Sequence, residues 1–271
     1  MMSAPHPTLR RAATKVPEIT VLFWVAKVLT TGMGETTSDF FVRLIDPVIA
    51  VGIGFVVLVI ALAVQFTVRR YIPGVYWFAV VMVSVFGTMA ADVLHIVIGI
   101  PYVISTAFFL IVLATILVLW YASEKTLSIH SIRTPRREAF YWATVLATFA
   151  LGTAVGDLTA VTFTLGYFAS GVLFAVVIVI PIVAFRWFRL NAVVAFWFAY
   201  IVTRPLGASF ADWMGVSRAR GGLDWGTGPV SLVLFAIIIV LVAVMATSGR
   251  GATRALAPFG ILEERNSTAD G

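Results

Sequence analysis

The pattern Trp-x9-Gly-x4-Asp occurs four times in this chain of 271 residues, each time inside an apolar stretch. Its members are Trp24/Gly34/Asp39, Trp77/Gly87/Asp92, Trp142/Gly152/Asp157 and Trp197/Gly207/Asp212. Agreement of three residue types in one register is typical of internal duplication. Each copy therefore places a carboxyl group in or beside a membrane, where an ionisable side chain is costly and usually functional.

The composition indicates a helical membrane protein. The chain is 61% hydrophobic and 12% charged, which is too few charges to cover a soluble domain of this size. Apolar runs long enough to cross a bilayer recur along the chain, and they lack the strict alternation of a β-barrel. The absence of cysteine excludes disulfides, thiolate metal sites and a cysteine nucleophile.

We predict an all-α bundle of eight transmembrane helices. The predicted spans cover residues 18–38, 47–68, 73–97, 101–120, 139–160, 163–185, 191–211 and 228–248. Cations concentrate in the connections after the even spans, namely Arg69, Arg70, Lys125, Arg133, Arg136, Arg137, Arg186 and Arg189. The positive-inside rule therefore predicts that both termini are cytoplasmic.

The domain organisation follows from these spans. Residues 1–17 and 251–271 are predicted cytoplasmic tails, and residues 18–250 form one transmembrane domain. Its repeats are residues 18–70, 71–135, 136–190 and 191–250. All four hairpins run in the same direction, so they are related by pseudosymmetry about the membrane normal. A fourfold ring and two nested pairs satisfy this pattern equally well.

Two stripes on the odd-numbered helices carry the remaining predictions. Small residues recur six, ten and fourteen positions after each Trp, with Gly34, Gly87, Gly152 and Gly207 at their centres. Such stripes allow helices in lipid to pack closely, which predicts that the odd helices lie inside the bundle. The tryptophans are expected in the cytoplasmic aromatic belt, with each Asp about 22 Å further along its helix.

The neighbouring stripe is polar, and charged side chains are too costly to face lipid, so these stripes should converge on a shared interior. Its predicted cation-binding or gating residues are Glu35, Asp39, Asp92, Asp157, Asp212, His95, Thr31, Ser84, Thr88 and Thr153. We expect the intramembrane cations Lys27 and Arg204 to balance this charge.

The polar set suits a metal cation. Oxygen ligands are typical of Mg²⁺, Ca²⁺ or Mn²⁺, and the nitrogen of His95 favours Mn²⁺ or Fe²⁺. The metal hypothesis places Glu35 and the four motif aspartates among the ligands.

Three other interpretations stay open. Each Asp caps a helix or pairs with a cation such as Arg43 or Arg218; the carboxyls exchange protons coupled to another substrate; or Lys27 and Arg204 bind an anion.

Enzymatic and nucleic-acid functions are not expected. The chain has no HExxH motif, and its three histidines are too few for a multi-histidine metal site or paired haem ligation. It has no nucleotide-binding loop, so any transport is secondary. The net charge of +6 is explained by topology rather than by nucleic acid. We expect no cofactor beyond a divalent cation as substrate.

One segment supports a family resemblance. The run Lys15-Val16-Pro17-Glu18-Ile19-Thr20, continuing through Trp24 and Lys27 to Gly34-Glu35-Thr36-Thr37-Ser38-Asp39, resembles the start of a family of prokaryotic membrane proteins. That family is built from four tandem two-helix repeats of unknown function. The resemblance covers residues 15–250 and implies eight spans in a prokaryotic inner membrane, but no substrate.

The sequence thus favours a secondary transporter or exporter of a cation, most plausibly divalent, with protons as a further coupling ion and the bilayer as partner. The alternative is a non-transporting membrane scaffold or sensor, in which the Trp, Gly and Asp residues only hold the hairpins together.

Overall fold

The computed structural model describes the backbone of residues 14–267 and the side chains of residues 14–95 and 97–248. Within that range it is helical and contains no strand. The α-helices are α1 (Val21–Leu44), α2 (Pro47–Thr67), α3 (Pro73–Asp92), α4 (Tyr102–Glu124), α5 (Pro135–Asp157), α6 (Gly166–Val177), α7 (Val179–Trp187), α8 (Ala192–Gly215) and α9 (Thr227–Ser267). Helices α6 and α7 follow one another as a single span, so each predicted span corresponds to one helical segment.

Local chemistry explains where several helices begin. The side chains of Thr20, Asp46, Thr134 and Asn191 accept backbone hydrogen bonds at the starts of α1, α2, α5 and α8. Such caps satisfy amide groups that have no partner within the helix. Proline occupies the first turn of α2, α3 and α5, where its missing N–H costs nothing.

Some boundaries differ from the prediction. The first span was expected to end at residue 38, but α1 continues to Leu44, so Asp39 lies inside the helix. Polar residues in its last turns hid this extension from the hydropathy pattern. Helix α9 continues through Ser267, into the region predicted as a C-terminal tail. Residues 1–13 and 268–271 of the predicted tails lie outside the described residues.

Seven helical segments of the described chain are long and apolar enough to cross a membrane. Helix α1 falls outside this set because it carries Lys27, Glu35, Asp39 and Arg43. Its 24 residues nevertheless span about 36 Å at ~1.5 Å per residue. The chain is thus a polytopic helical bundle whose first helix carries charged residues along its length.

Helices α1, α3, α5 and α8 form a closed ring, in which each helix contacts the next and α8 contacts α1. They are the odd-numbered predicted spans, and we call them the inner helices. Burial differs between the most apolar 18-residue stretches of the helices. The buried share of that stretch is 72% in α5 and 61% in α8, but only 22% in α2 and 22% in α4. The repeats therefore form a ring of four rather than two nested pairs.

The outer helices connect neighbouring repeats. Helix α2 packs mainly against α3, α4 against α5, α6 against α8, and α9 against α1. Each outer helix thus lies on the inner helix of the next repeat, and the series closes from the fourth repeat to the first. The hairpin that is continuous in sequence is not the main packing unit.

The motif glycines pack against the next inner helix around the whole ring. A Cβ atom added at any of them would overlap with a side chain of that helix. The pairs are Gly34–Ser84, Gly87–Phe149, Gly152–Arg204 and Gly207–Thr31. In each pair the partner lies seven positions after the Trp of the following repeat. Close backbone approach through small residues is the usual way for helices to associate in lipid.

The motif tryptophans mark one end of the inner helices, which we call the tryptophan end, and the motif aspartates mark the opposite, aspartate end. The prediction that the motif tryptophans lie in an aromatic belt at the membrane surface is wrong for Trp77, Trp142 and Trp197, because all three are buried. Each motif Trp packs against the aromatic residue that precedes the Trp of the previous repeat, with ring centroids 5.6–6.3 Å apart. The pairs are Phe23–Trp77, Tyr76–Trp142, Tyr141–Trp197 and Phe196–Trp24. Eight aromatic rings therefore fill this end of the ring.

The chain before α1 packs under the tryptophan end. The ammonium group of Lys15 lies 2.5 Å from Glu138 of α5 and also donates to the carbonyl of Phe66. Gln65 of α2 donates to the second carboxylate oxygen of Glu138 at 2.9 Å. Lys15, Gln65 and Glu138 are all buried. The last residues of the predicted N-terminal tail are thus part of the packed structure.

Candidate functional site

Arg204 of α8 reaches the other three inner helices. Its Nη2 lies 2.6 Å from Oε2 of Glu35 and 2.7 Å from the hydroxyl of Thr153, and it also donates to the hydroxyl of Thr88. Its Nη1 donates to the carbonyl oxygen of Thr31 at 2.8 Å. The arginine and the glutamate are both buried. One guanidinium group thus joins all four inner helices at the centre of the ring.

The repeat register explains this convergence. Glu35, Thr88 and Thr153 occupy the same position, eleven residues after the motif Trp. The fourth copy has Ala208 there, and Arg204 lies one turn earlier on the same helix. Since the four helices are arranged with pseudosymmetry, equivalent positions face a common centre. Three oxygen-bearing side chains therefore surround a cation supplied by the fourth helix.

Lys27 lies one turn closer to the tryptophan end. Its Nζ is 3.7 Å from the ring centroid of Phe149 and 4.1 Å from that of Tyr200. It has no hydrogen-bond partner and is buried. A cation held over aromatic faces in a dry site gains about 2 kcal/mol or more. Lys27 is therefore held by aromatic rings, whereas Glu35 is paired with Arg204.

Asp92, His95 and Asp157 come together at the aspartate end. One potential ligand atom from each lies within 4.8 Å of the others, and this is the one such group of three among the described residues. Asp92 ends α3 and Asp157 ends α5, and each is followed directly by a π-helical turn. The turn after Asp92 carries His95, whose Nδ1 lies 3.8 Å from Oδ2 of Asp157. Turns of this kind are frequent at functional sites.

The surroundings of His95 orient its ring. Its Nε2 lies 2.5 Å from the hydroxyl of Ser105 on α4, and its ring packs edge-on against Tyr102. The Ser105 hydroxyl also lies 3.0 Å from the carbonyl of Tyr102, and when it donates its proton there it accepts from Nε2–H of His95. That assigns the lone pair to Nδ1, which is buried and has no hydrogen-bond partner. The lone pair faces a carboxylate, an arrangement that a metal ion between them would stabilise.

The chemistry of this group fits a metal ion. Ligand atoms on one ion, each about 2.0–2.3 Å from the metal, lie about 3–4.5 Å apart. A small adjustment would bring the three atoms around one ion. A histidine ligand almost always donates its other ring N–H to a fixed partner, as His95 does to Ser105.

The other predicted carboxyls lie outside this group. Asp39 pairs with Arg43 on its own helix at 2.6 Å, Glu35 pairs with Arg204, and Asp212 is buried. The five predicted acids therefore do not form one ligand set.

The predicted hydroxyl ligands also fall into two groups. Thr88 and Thr153 contact Arg204. Ser84 instead donates to the carbonyl of Thr30 on the neighbouring inner helix, and the Thr31 hydroxyl lies 2.6 Å from the carbonyl of Val28 on its own helix and 3.1 Å from that of Thr203 on α8. These last two hydroxyls occupy the positions that face the motif glycines, and they tie adjacent inner helices together.

Two features of the site were missed in the sequence. Ser105 and Tyr102 lie on an outer helix, whereas the polar stripes from which the site was predicted lie on the inner helices. The second is the aromatic residue directly before every motif Trp, namely Phe23, Tyr76, Tyr141 and Phe196. That recurrence is present in the sequence, and it predicts that aromatic rings fill the tryptophan end.

Comparison with known proteins identifies the repeat and leaves the activity open. The family model described as "Repeat of Unknown Function (DUF347)" matches residues 22–71, 75–126, 140–191 and 195–250. Each match covers one inner helix and the outer helix that follows it. Neither the curated proteins nor the solved structures give a significant match.

Proposed function

The chain belongs to the DUF347 repeat family, and we propose that it is a secondary transporter or exporter of a divalent metal cation. In this proposal the ion binds at Asp92, His95 and Asp157 and moves between the inner helices. The single observation that carries the proposal is the group of three ligand atoms within 4.8 Å, one of which is the buried and unbonded Nδ1 of His95. A buried imidazole nitrogen with no partner is costly unless it binds something.

The ligand types favour a borderline cation. Two carboxylates and one imidazole suit Mn²⁺ or Fe²⁺ better than Ca²⁺, which takes six to eight oxygen ligands. The site offers few ligands, so water would complete the coordination shell. Incomplete coordination by protein suits a transported ion, which has to leave again.

The two ends of the ring differ in a way that supports alternating access. The side chains of Asp39 and Asp157 are about one-fifth exposed at the aspartate end, whereas eight aromatic rings fill the tryptophan end. Arg204 and Lys27 occupy the centre. In the proposal this is the state open toward the aspartate end. Transport then requires the eight aromatic side chains at the tryptophan end to move apart.

The proposed location is a prokaryotic inner membrane, with both termini in the cytoplasm. The connections at the tryptophan end hold most of the loop cations, which favours this end as the cytoplasmic one. The aspartate end then faces outward, and protons serve as a further coupling ion. We also propose that the protein is not an enzyme.

Metal binding is tested on purified protein in detergent. Mn²⁺ is titrated in, and the free ion is read from its EPR signal. We expect Asp92→Asn and His95→Ala to weaken Mn²⁺ binding by at least ~100-fold, since outer-shell partners alone contribute about 10–100-fold. Asp224→Asn is the matched control, because Asp224 is an exposed acid in the loop after α8, with a positive φ that asparagine tolerates.

Transport is tested in proteoliposomes with a trapped Mn²⁺-sensitive dye. Wild type and Asp224→Asn should move Mn²⁺, and Asp92→Asn should not. A well-folded wild type that neither binds nor moves Mn²⁺ or Fe²⁺ would favour the alternative of a scaffold or sensor. Binding without flux would favour the sensor.

A further inference from the structure

We infer that the oxygen atoms around the Arg204 guanidinium form a second cation site at the centre of the ring, and that Arg204 occupies it in place of the ion. The inference rests on the proposed function in one respect, since it takes the ion to be the same divalent cation. It differs in naming a second binding place and the protein group that competes for it.

The ligand set at the centre is already arranged around a positive charge. The Glu35 carboxylate and the hydroxyl of Thr153 lie 2.6 Å and 2.7 Å from Nη2, which also contacts Thr88. The carbonyl oxygen of Thr31 lies 2.8 Å from Nη1. These four oxygens come from three different helices. Oxygens of these types are the ligands that hard and borderline divalent cations prefer.

One glycine makes room for Arg204 in the bundle. Gly152 lies against the aliphatic part of the arginine, where a Cβ atom would overlap with Cβ and Cγ of Arg204. Ala208 stands where the other three helices have Glu35, Thr88 and Thr153. The fourth repeat thus contributes a cation to a site to which the other repeats contribute oxygens.

The charge balance makes the guanidinium and the ion alternatives. Arg204 neutralises Glu35, and the Nζ atom of Lys27 lies one turn away over the ring of Phe149. A divalent ion beside the guanidinium would be repelled, so it can bind Glu35 only when Arg204 withdraws. Pro205 follows Arg204 inside α8 and removes one helical hydrogen bond, which makes local bending less costly.

The test counts Mn²⁺ ions bound to the full chain in detergent by EPR titration. Wild type should bind one Mn²⁺ at the aspartate end. Arg204→Gln removes the competing charge but keeps a side chain of similar reach, so it should bind a second Mn²⁺. Arg204→Gln with Glu35→Gln should return to one.

A further double variant separates this inference from the proposed function. Asp92→Asn with Arg204→Gln lacks the aspartate-end ligand and should still bind one Mn²⁺ at the centre. If wild type binds no Mn²⁺ but this double variant binds one, the proposed aspartate-end site is wrong and the central site stands. If Arg204→Gln is folded and gains no Mn²⁺, the central site is wrong whatever wild type binds.

A second substitution covers poor folding of Arg204→Gln, which is judged by size-exclusion profile and thermal unfolding. Arg204→Lys keeps the charge but makes fewer hydrogen bonds with the oxygens, so Mn²⁺ should compete with it and bind a second time with weaker affinity. Absence of a second Mn²⁺ in a folded Arg204→Lys protein, up to millimolar free Mn²⁺, would overturn the inference.

Discussion

Arg204 of α8 and Glu35 of α1 form a buried ion pair at 2.6 Å, and this pair joins the last inner helix to the first. The contact closes the ring at the same depth at which Thr88 and Thr153 meet the same guanidinium. The centre of the bundle therefore contains an ion pair that contacts all four inner helices. Removing one partner of a buried pair leaves an uncompensated charge, so Arg204→Gln alone leaves the Glu35 carboxylate unpaired inside the bundle.

The glycine contacts predict a sharp difference between inner and outer helices. Gly34→Ala should lower the free energy of unfolding by about 1–3 kcal/mol or prevent assembly, because the added methyl group overlaps with Ser84, including its backbone. Gly52→Ala on α2 meets nothing within 4 Å and should be neutral or stabilising. Thermal unfolding in one detergent measures both. Equal stability of the two variants would contradict the close approach of α1 and α3.

The buried pair under the tryptophan end predicts a large stability effect. Glu138→Ala should lower the free energy of unfolding by about 3–5 kcal/mol, because it leaves the Lys15 ammonium buried and removes the acceptor of Gln65. Arg43→Ala breaks a pair whose arginine is about half exposed, so solvent screening should keep its effect within about 1 kcal/mol. Denaturant unfolding of the two variants compares them. Similar losses would mean that residues 14–17 do not pack as described.

The orientation of His95 predicts a role for a hydroxyl on an outer helix. Ser105→Ala removes the acceptor of Nε2–H and should weaken Mn²⁺ binding by about 10–100-fold while leaving thermal stability nearly unchanged. Ser170 occupies the equivalent position of the third repeat, where Ala160 replaces the histidine. Ser170→Ala should therefore leave the affinity as it is. An unchanged Mn²⁺ affinity in Ser105→Ala would show that the serine does not orient the ligand.

The closed tryptophan end predicts one-sided access. The natural chain has no cysteine, so single cysteines report directly on labelling by a charged thiol reagent. Asp39→Cys at the aspartate end should react, whereas Val80→Cys, fully buried on the polar stripe of α3, should not. The reagent is applied to membrane vesicles of each orientation. Rapid labelling of Val80→Cys would contradict closure, and the side from which Asp39→Cys reacts fixes the topology.

The sequence predicted the inner helices, their packing glycines and their polar interior, because these depend on periodicity within one helix. A side chain every three or four residues marks a face, whichever neighbour covers that face. The closed ring was not predictable in the same way, because a ring and two pairs of hairpins bury the same residues. Packing of each outer helix on the next repeat was hidden for the same reason.

The partners of the charged residues were also beyond the sequence. Arg204 and Glu35 are 169 residues apart, so no local spacing indicates this pairing. Distance within the fold decides it: Lys27 reaches the rings of Phe149 and Tyr200. The metal group likewise combines Asp92 and Asp157 from adjacent helices. The predicted ligand set was too large, because it took an acid from every repeat.

The packing of α9 on α1 has a consequence for biosynthesis. Helix α1 carries Lys27 and Glu35 in its interior, and two helices that cover it, α8 and α9, are made after it. Until they arrive, Lys27 and Glu35 lack the aromatic ring of Tyr200 and the guanidinium of Arg204. The packing of α1 is therefore completed only after synthesis of α8 and α9, when these helices return to a segment made much earlier.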